Sequence, residues 1–269
     1  MTPLCELLER IALEAGAAIL EVYDHGPNIS YKDDHSPVTE ADERAEEIIL
    51  GCLASAFPTI PAVAEEAVSS GHVPDIRNGS FFLVDPLDGT KEFINRRHDF
   101  TVNIALIEGG VPIAGIVYAP AQRCAYVADG GRSEKLFIGH GHDIEQRQAI
   151  RVREPGAGLT GIVSRSHDNS ATEAFLIEHR ITEYASVGSS LKFCMLAEGK
   201  ADVYPRFGRT MEWDTAAGDA VLSCAGGSVL RLDGSRLLYG KTGQTEDSDF
   251  ANPHFVAWGG MAAAPATLV

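Results

Sequence analysis

An apolar run ends at two closely spaced aspartates in residues 82–106, which read FLVDPLDGTKEFINRRHDFTVNIAL. The run itself, residues 81–84, has the length and the bulky side chains of a buried strand. Asp85 and Asp88 come directly after it. Two carboxylates at the end of a buried strand indicate either a turn that caps a helix or a site for a cation.

The residues between and after the two aspartates favour a tight turn. Pro86 fixes its own φ angle, and Gly89 permits a backbone angle that other residues avoid. Such a turn can bring the Asp85 and Asp88 carboxylates together with the carbonyl of Leu87. Oxygen ligands of this kind suit a hard cation such as Mg²⁺.

The same turn is not an EF-hand and is expected to lead into a helix. An EF-hand loop requires glycine at its sixth position, and the sixth residue counted from Asp85 is Thr90. The backbone amides of Gly89 and Thr90 are expected to open the next helix, where N–H groups can hold a phosphate.

Two other places in the chain supply carboxylates. Glu65 and Glu66 lie in the small and apolar stretch AVAEEAV, ahead of Asp85 in the sequence. Asp214 follows Trp213 at the start of a predicted apolar helix. Taken singly, the two glutamates are typical of a solvated loop and Asp214 of a helix N-cap.

The pattern of apolar residues divides the chain into two parts. The first, residues 1–144, is predicted to hold two helices followed by an antiparallel meander. The second, residues 145–269, alternates strands with helices, as α/β structures do. A cleft between the parts is the expected place for a ligand. Helices are predicted at 3–24, 39–56, 170–180, 189–199 and 214–225, and strands at 81–84, 101–107, 112–118, 124–128, 135–138, 161–164, 183–187, 201–204, 227–232 and 236–239.

Composition limits the classes of partner. The chain has 269 residues, and its 38 acidic and 22 basic residues give a net charge of −16. This balance argues against nonspecific binding to a nucleic acid polymer, which requires a basic face. Five dispersed cysteines fit a reducing cytosol, and no stretch is long and apolar enough for a membrane-spanning helix. We predict a cytoplasmic protein without an integral membrane segment, and leave open both loose association with the inner membrane surface and the choice between monomer and homodimer.

Four motifs follow one another in the order VTEAD, EE, DPLDGTKEF and WDTAAGDAVLSCAGG. In this order they resemble the lithium-sensitive, magnesium-dependent phosphatase superfamily of inositol monophosphatases, fructose-1,6-bisphosphatases and bisphosphate nucleotidases, over nearly the whole chain. SRSH at 164–167, GSSLKFC at 188–194 and YPRFGRTMEWDTAAGDAVL at 204–222 are similar to its bacterial 3′(2′),5′-bisphosphate nucleotidases. The resemblance implies an α+β/α/β layered sandwich of the inositol monophosphatase and fructose-1,6-bisphosphatase type, with alternating α-β-α-β-α layers.

The resemblance also implies a metal site and a pair of residues that act on water. Two metals can hold the attacking and leaving oxygens of a phosphate ester in line and neutralise the charge that develops. Asp42 and Thr90 match the family pair that orients and deprotonates the attacking water, and Glu65 and Asp88 are implied to be catalytic as well. The implied ligands of two or three Mg²⁺ ions are Glu65, Asp85, the Leu87 carbonyl, Asp88 and Asp214.

The implied substrate is a small phosphorylated nucleotide, adenosine 3′,5′-bisphosphate, which would be hydrolysed to AMP and phosphate in sulfur assimilation. Ser164 and His167 match positions that meet the nucleoside, and Gly188 and Lys192 match a segment near the second phosphate. The basic residues Arg206 and Arg209 precede Asp214 and are left without a role. The full set of implied substrate-binding residues is Gly89, Thr90, Ser164, His167, Gly188, Lys192 and Asp214.

Two alternatives stay open at this point. Hydrolysis of inositol monophosphate or fructose 1,6-bisphosphate uses the same chemistry, and the segments GSSLKFC and TKEF argue against it. A non-catalytic metal-binding scaffold is disfavoured because the implied catalytic and metal-binding set is complete in this chain.

Overall fold

Seven α-helices, one short 3₁₀ helix at Pro120–Gln122 and fourteen strands lie in the part of the chain that the structure, a computed structural model, describes: residues 2–32, 37–156, 158–165 and 170–260. The helices are α1 (Pro3–His25), α2 (Glu40–Ala56), α3 (Glu65–Ser69), α4 (Thr90–Ile94), α5 (Ser170–Glu178), α6 (Leu191–Ala197) and α7 (Ala216–Cys224). The strands are β1 (Ile29–Tyr31), β2 (Pro37–Thr39), β3 (Ala62–Ala64), β4 (Ser80–Asp88), β5 (Thr101–Glu108), β6 (Val111–Ala119), β7 (Cys124–Asp129), β8 (Arg132–Ile138), β9 (Ile144–Ala149), β10 (Thr160–Ser164), β11 (Glu183–Val187), β12 (Val203–Arg206), β13 (Ser228–Arg231) and β14 (Phe255–Trp258).

The first large sheet has seven strands in the order β3-β4-β5-β6-β7-β8-β9. It is the predicted antiparallel meander, extended at one edge by β3, which runs parallel to β4. Two-residue Gly-Gly connections join β5 to β6 and β7 to β8, as is common in hairpins. The division into two parts at residues 144 and 145 stays a prediction; β9 begins at that point and pairs with β8, so it belongs to this sheet.

Alternating side chains on β4 point into two different cores. Phe82 and Val84 pack with α1 and α2 on the outer face of the sheet, whereas Phe81 and Leu83 face a second core that contains α6 and α7. This alternation is the period of two of a strand that is buried on both faces, which explains why residues 81–84 are apolar without interruption. The strand therefore lies between two layers of helices, and its carboxyl end emerges beside both of them.

The second large sheet has five strands in the order β11-β10-β12-β14-β13. One face packs against α6 and α7 and the other against α5, so the layers alternate α-β-α-β-α as predicted. Gly115 on β6 lets α7 approach the first sheet, because a Cβ at that position would lie 3.0 Å from the Cβ of Ala220. The two sheets thus share α6 and α7 as a common middle layer.

Some predicted elements of the second part need correction. The predicted strand at 236–239 is wrong: within the described residues this segment makes one isolated bridge, between Arg236 and Leu230, although Leu237 and Tyr239 are buried. The strand β14 at Phe255–Trp258 was not predicted. Helix α7 begins at Ala216, two residues later than expected.

None of the described helices combines the length and the apolar character needed to cross a lipid bilayer. The longest is α1, whose 23 residues bury one stripe against the first sheet and leave charged residues on the opposite side.

Candidate active site

A cleft of about 740 Å³ opens where the carboxyl end of β4 meets the ends of β10 and β11 and the segment before α7. It takes residues from both predicted parts of the chain, as expected for a ligand site. Its lining includes Glu65, Asp85, Asp88, Ser164, Lys192 and Asp214.

The turn at the end of β4 has the predicted geometry. The register between β4 and β5 shifts between Asp85 and Asp88, and the Asp85 carboxylate accepts a hydrogen bond from the backbone N–H of Leu87 at 3.1 Å. Gly89 then adopts a φ angle of +92° at the N-cap of α4, a conformation that side chains with a Cβ rarely adopt. The glycine therefore lets the chain reverse directly from the strand into the helix.

Three carboxylates from distant parts of the sequence converge beside this turn. Glu65 begins α3, Asp85 ends the apolar part of β4, and Asp214 precedes α7; one oxygen of each lies within 4.8 Å of the other two. Asp214 is not the N-cap of α7, which is Thr215. Instead, its side chain accepts a hydrogen bond from the backbone N–H of Met211 at 2.8 Å, which holds it toward the cluster.

The electrostatics of this cluster favour a bound cation. Burial, followed by the charges of Glu65, Asp88 and Asp214, raises the pKa of Asp85 well above its ordinary value. Burial and the charges of Asp88 and Glu65 raise the pKa of Asp214 to about 8. Like charges this close together repel one another, and a cation bound to their oxygens removes that repulsion. The donor set therefore fits a hard divalent ion.

Asp88 faces hydroxyl groups that come from the second part of the chain. Its Oδ2 atom accepts a hydrogen bond from Ser189 at 2.8 Å and lies 3.0 Å from the hydroxyl of Ser190. The Ser190 hydroxyl also lies 2.6 Å from the backbone carbonyl of Asp214 and accepts from Asn103 at 3.0 Å. Ser190 thus connects two of the predicted metal-binding segments, a role that no local sequence signal indicated.

Asp42 and Thr90 also meet, although they are distant in sequence. Asp42 lies in the first turn of α2, where its Oδ2 accepts hydrogen bonds from the backbone N–H and the hydroxyl of Thr39 at 2.8 and 2.7 Å. The other oxygen of Asp42 lies 3.2 Å from the Thr90 hydroxyl, which is also 3.2 Å from the carbonyl of Leu87. Burial raises the pKa of Asp42 to about 6. A carboxylate with a pKa near neutrality is suited to accept a proton.

Lys32 is a residue of the site that the sequence did not indicate. Its ammonium group lies 2.7 Å from a carboxylate oxygen of Glu65 and 2.7 Å from one of Glu66. Burial opposes the charge on Lys32, but the two glutamates raise its pKa. Burial and the charge of Glu65 likewise raise the pKa of Glu66 to about 7. The ion pair places Glu66 beside Lys32 and beside the acidic cluster.

Two cationic side chains contribute to the same cleft. Lys192 and Arg206 are each 6% exposed and both line the cleft. Burial, together with the charge of Arg206, lowers the pKa of Lys192 to about 8. Within the described part of the chain, the Nε atom of Arg206 has no hydrogen-bond partner. A buried guanidinium with an unused donor is suited to bind an anion, so Arg206 joins the site despite having been left without a role.

Ser164 and Gly188 come together at the ends of the adjacent parallel strands β10 and β11, and both line the cleft. The parallel pairing explains this, because the carboxyl ends of parallel strands meet at one edge of a sheet. His167 lies outside the described residues. The other predicted substrate-binding residues also line the cleft. Their contacts with a substrate stay predictions.

A sequence profile of the inositol monophosphatase family matches residues 1–258. The chain belongs to the inositol monophosphatase family. Within it, the chain is 45% identical over 251 residues to the 3′(2′),5′-bisphosphate nucleotidase CysQ of Salmonella typhimurium, covering 91% of this chain and 96% of that protein. It is 42% identical over 248 residues to the protein of the same name from Escherichia coli, with the same coverage of both chains.

Solved structures of the inositol monophosphatase family have the same fold. CysQ from Bacteroides thetaiotaomicron, described as a bacterial member of the family, matches with a TM-score of 0.76 and 35% identity over 95% of this chain and 96% of that one. An inositol monophosphatase from Thermotoga maritima matches with a TM-score of 0.73 at 23% identity, over 94% and 90% of the two chains. The predicted family and fold class are confirmed.

Proposed function

We propose that this chain is a Mg²⁺-dependent phosphatase that converts adenosine 3′,5′-bisphosphate to AMP and phosphate in sulfur assimilation. The observation that carries the proposal is a cleft lined both by a carboxylate cluster and by two buried cations. The 45% identity to a bisphosphate nucleotidase over almost the whole chain supports the same substrate class. A single-phosphate substrate held at the carboxylate cluster would leave Lys192 and Arg206 without an anion to bind.

The acidic residues of the cleft would hold two or three Mg²⁺ ions. The residues that would bind them are Glu65, Asp85, the Leu87 carbonyl, Asp88 and Asp214. When bound, Mg²⁺ supplies positive charge that neutralises the scissile phosphate and lowers the pKa of water. This chain's own contribution is to fix the ligand oxygens in advance, through the Met211 amide on Asp214 and the two serine hydroxyls on Asp88.

The attacking water would be held and deprotonated by Thr90 and Asp42. The Thr90 hydroxyl donates toward Asp42 and can therefore accept a hydrogen bond from a water in the cleft. Asp42 stays in place because two groups of Thr39 donate to its other oxygen. A proton that leaves the water can pass through the Thr90 hydroxyl to the Asp42 carboxylate.

The two buried cations would bind the second phosphate. Lys192 and Arg206 would pair with the phosphate that is not cleaved, while the Gly89–Thr90 turn and Asp214 meet the one that is. Ser164, Gly188 and His167 would contact the nucleoside side of the substrate. Two anchors at a fixed separation would orient the scissile phosphate toward the carboxylate cluster.

The products of the reaction test this proposal directly. Phosphorus NMR of a reaction with adenosine 3′,5′-bisphosphate should show inorganic phosphate and adenosine 5′-monophosphate, with the signal of the 3′-phosphate lost. The reaction should stop with EDTA and resume with excess Mg²⁺. Release of the 5′-phosphate, or turnover that persists in EDTA, would contradict the proposal.

Titration of Lys192 should appear in the pH dependence of catalysis. If its ammonium binds the second phosphate, kcat/KM for the bisphosphate should fall as pH rises through about 8, because Lys192 loses its charge there. Lys192→Ala should raise KM by about tenfold with a smaller change in kcat, as expected when a ground-state contact is lost.

Lys192→Arg is the control, because arginine keeps its charge and should flatten the fall near pH 8. This variant is needed since Asp214 also has a pKa of about 8. Lys200→Ala removes an exposed lysine that pairs with Glu198 and should leave KM unchanged. An unchanged KM in Lys192→Ala would exclude Lys192 from the substrate site.

Lithium should inhibit the reaction. Li⁺ is close to Mg²⁺ in size and has half its charge, so the site formed by the carboxylates of Asp85, Asp88 and Asp214 can accept it in place of one divalent ion. If Li⁺ binds after product has formed, inhibition should be uncompetitive with substrate and relieved by excess Mg²⁺. Steady-state phosphate release over a matrix of Li⁺, Mg²⁺ and substrate measures this. Inhibition no greater than that by K⁺ at equal ionic strength would count against the predicted arrangement of the cluster.

A further inference from the structure

Asp99 links the two parts of the cleft from outside it. The residue lies between α4 and β5, and its side chain is 14% exposed. Its Oδ2 atom accepts a hydrogen bond from the backbone N–H of Gly188 at 3.0 Å and lies 2.5 Å from a guanidinium nitrogen of Arg165. Arg165 in turn donates to the carbonyl of Ser186 at 3.0 Å. One carboxylate from the first part of the chain therefore holds the ends of both β10 and β11.

The backbone of Asp99 fits between two glycines of the cleft. A Cβ at Gly89 would lie 3.1 Å from the carbonyl oxygen of Asp99, and a Cβ at Gly188 would lie 3.1 Å from the same atom. The Gly89–Thr90 turn and the turn after β11 thus both pack closely against the carbonyl oxygen of Asp99. Neither turn can shift toward Asp99 without a steric clash.

The segment that Asp99 holds leads directly to functional groups. Ser189 has a φ angle of +55°, which few residues other than glycine adopt, so surrounding contacts must maintain it. Its hydroxyl donates to Asp88 at 2.8 Å. The ammonium group of Lys192 donates to the carbonyl of Ser189 and lies 3.5 Å from that of Val187. The position of residues 187–189 therefore determines where Lys192 lies.

We propose that Asp99 is a positioning residue that sets the distance between the Gly89–Thr90 turn and Lys192 in the cleft. Its carboxylate accepts a hydrogen bond from the Gly188 amide and neutralises the charge of Arg165. These contacts keep residues 187–189 at a fixed position relative to Gly89. Asp99 does not belong to the cluster of Glu65, Asp85 and Asp214, and Asp88 keeps Ser190 as a second hydroxyl partner when residues 187–189 shift. Its loss therefore affects recognition of the second phosphate more than the chemistry of the first. The choice of substrate in this inference rests on the proposed function.

Asp99→Asn tests the inference with two readouts. The variant should raise KM for adenosine 3′,5′-bisphosphate by about tenfold and change kcat by less than about threefold. The reason is that a misplaced Lys192 weakens binding of the substrate and of the transition state to the same extent. For adenosine 3′-monophosphate, which lacks the second phosphate, KM should change by less than about threefold. Independently of any substrate, hydrogen–deuterium exchange in peptides that span residues 186–190 should become faster.

Asp202→Asn is a matched control. Asp202 also accepts hydrogen bonds from an arginine and a backbone amide, Arg153 at 2.6 Å and Thr160 at 2.7 Å, but at the far end of β10. Its loss should lower Tm and leave both KM values unchanged. If Asp99→Asn does not fold, Arg165→Gln removes the other partner, and its side chain is 35% exposed. The KM of the double variant Asp99→Asn/Arg165→Gln for the bisphosphate should be no higher than that of the more impaired single variant.

Several outcomes would overturn the inference. These are a KM for the bisphosphate within about twofold of the wild type, equal increases for both substrates, unchanged exchange in residues 186–190, or the same KM change in Asp202→Asn. A wild-type protein that does not hydrolyse the bisphosphate would contradict the proposed function instead. In that case the exchange measurement still decides whether Asp99 holds the segment.

Discussion

Asp214→Asn should reduce turnover by about 100-fold or more at saturating Mg²⁺ while the protein stays folded. The substitution keeps the size of the side chain and its acceptor for the Met211 amide, but it removes one charged oxygen from a cluster suited to a divalent ion. Losing a charged metal ligand costs several kcal/mol of transition-state stabilisation, and each 1.36 kcal/mol is about tenfold in rate. Asp88→Asn should have a similar effect. Retention of more than about a tenth of the activity by both variants would contradict the assigned ligands.

Asp219→Asn is the matched control for this prediction. Asp219 is a fully buried carboxyl on α7, but it pairs with Ser223 and Tyr239 away from the cleft. Its loss should affect stability and leave turnover within about threefold of the wild type. A comparable loss of activity in both variants would show that disruption of α7, rather than loss of a metal ligand, explains the result.

Asp214 also affects how the stability of the metal-free protein depends on pH. Its pKa of about 8 in the folded state exceeds the ordinary value of 3.8, so the folded protein binds more protons than the unfolded chain between these values. Stability in EDTA should therefore fall as pH rises from about 4 to about 8. Thermal unfolding should show a smaller fall for Asp214→Asn, and a higher Tm than the wild type at pH 8 in EDTA. A lower Tm under these conditions would contradict repulsion within the cluster.

Thr90→Val should lower kcat by about 100-fold, and Asp42→Asn by a similar factor, as expected for loss of general base catalysis. Valine has nearly the shape of threonine but cannot pass a proton from water to Asp42. The Mg²⁺ concentration for half-maximal activity should stay within about threefold of the wild type, because neither variant removes a charged metal ligand.

Thr90→Ser separates the role of the hydroxyl from that of the methyl group. It should keep turnover within about tenfold of the wild type, because the serine hydroxyl can make the same two contacts, with Asp42 and the Leu87 carbonyl. If Thr90→Val is as active as Thr90→Ser, the hydroxyl does not take part in proton transfer.

Local chemistry made much of the site predictable from the sequence. The turn around Asp85 and Asp88 depends on neighbouring residues, above all on Gly89, whose positive φ angle the structure confirms. The start of α2 is likewise determined by neighbouring residues, because Thr39 caps the helix and places Asp42 in its first turn. Signals of this kind lie within a few residues of one another and can be seen without knowledge of the fold.

Contacts between distant segments could not be predicted in the same way. Lys32 pairs with Glu65 across 33 positions, and Ser190 reaches Asp88 across 102. Nothing in the polar stretch around Lys32 marks one lysine as a partner of the acidic cluster. The pair of Ser190 and Asp88 exists only because α6, which follows Ser190, lies in a layer shared by both sheets.

The errors in secondary structure also have physical causes. The segment at 236–239 alternates like a strand, with Leu237 and Tyr239 buried, but its backbone pairs with β13 at a single bridge, and the N–H of Tyr239 donates instead to the carbonyl of Gly110. Strand β9 was missed for the opposite reason: it is an edge strand with mostly exposed side chains, so it lacks the apolar alternation that marks a strand.

A phosphate-release panel tests the central claim most directly. Purified wild-type protein is assayed with adenosine 3′,5′-bisphosphate, inositol 1-phosphate and fructose 1,6-bisphosphate, each with Mg²⁺ and with EDTA. We expect kcat/KM to be at least about tenfold higher for the nucleotide than for either sugar phosphate, because Lys192 and Arg206 bind its second phosphate, and we expect all turnover to require the metal. An equal or higher kcat/KM for inositol 1-phosphate, or nucleotide hydrolysis in EDTA, would contradict the account.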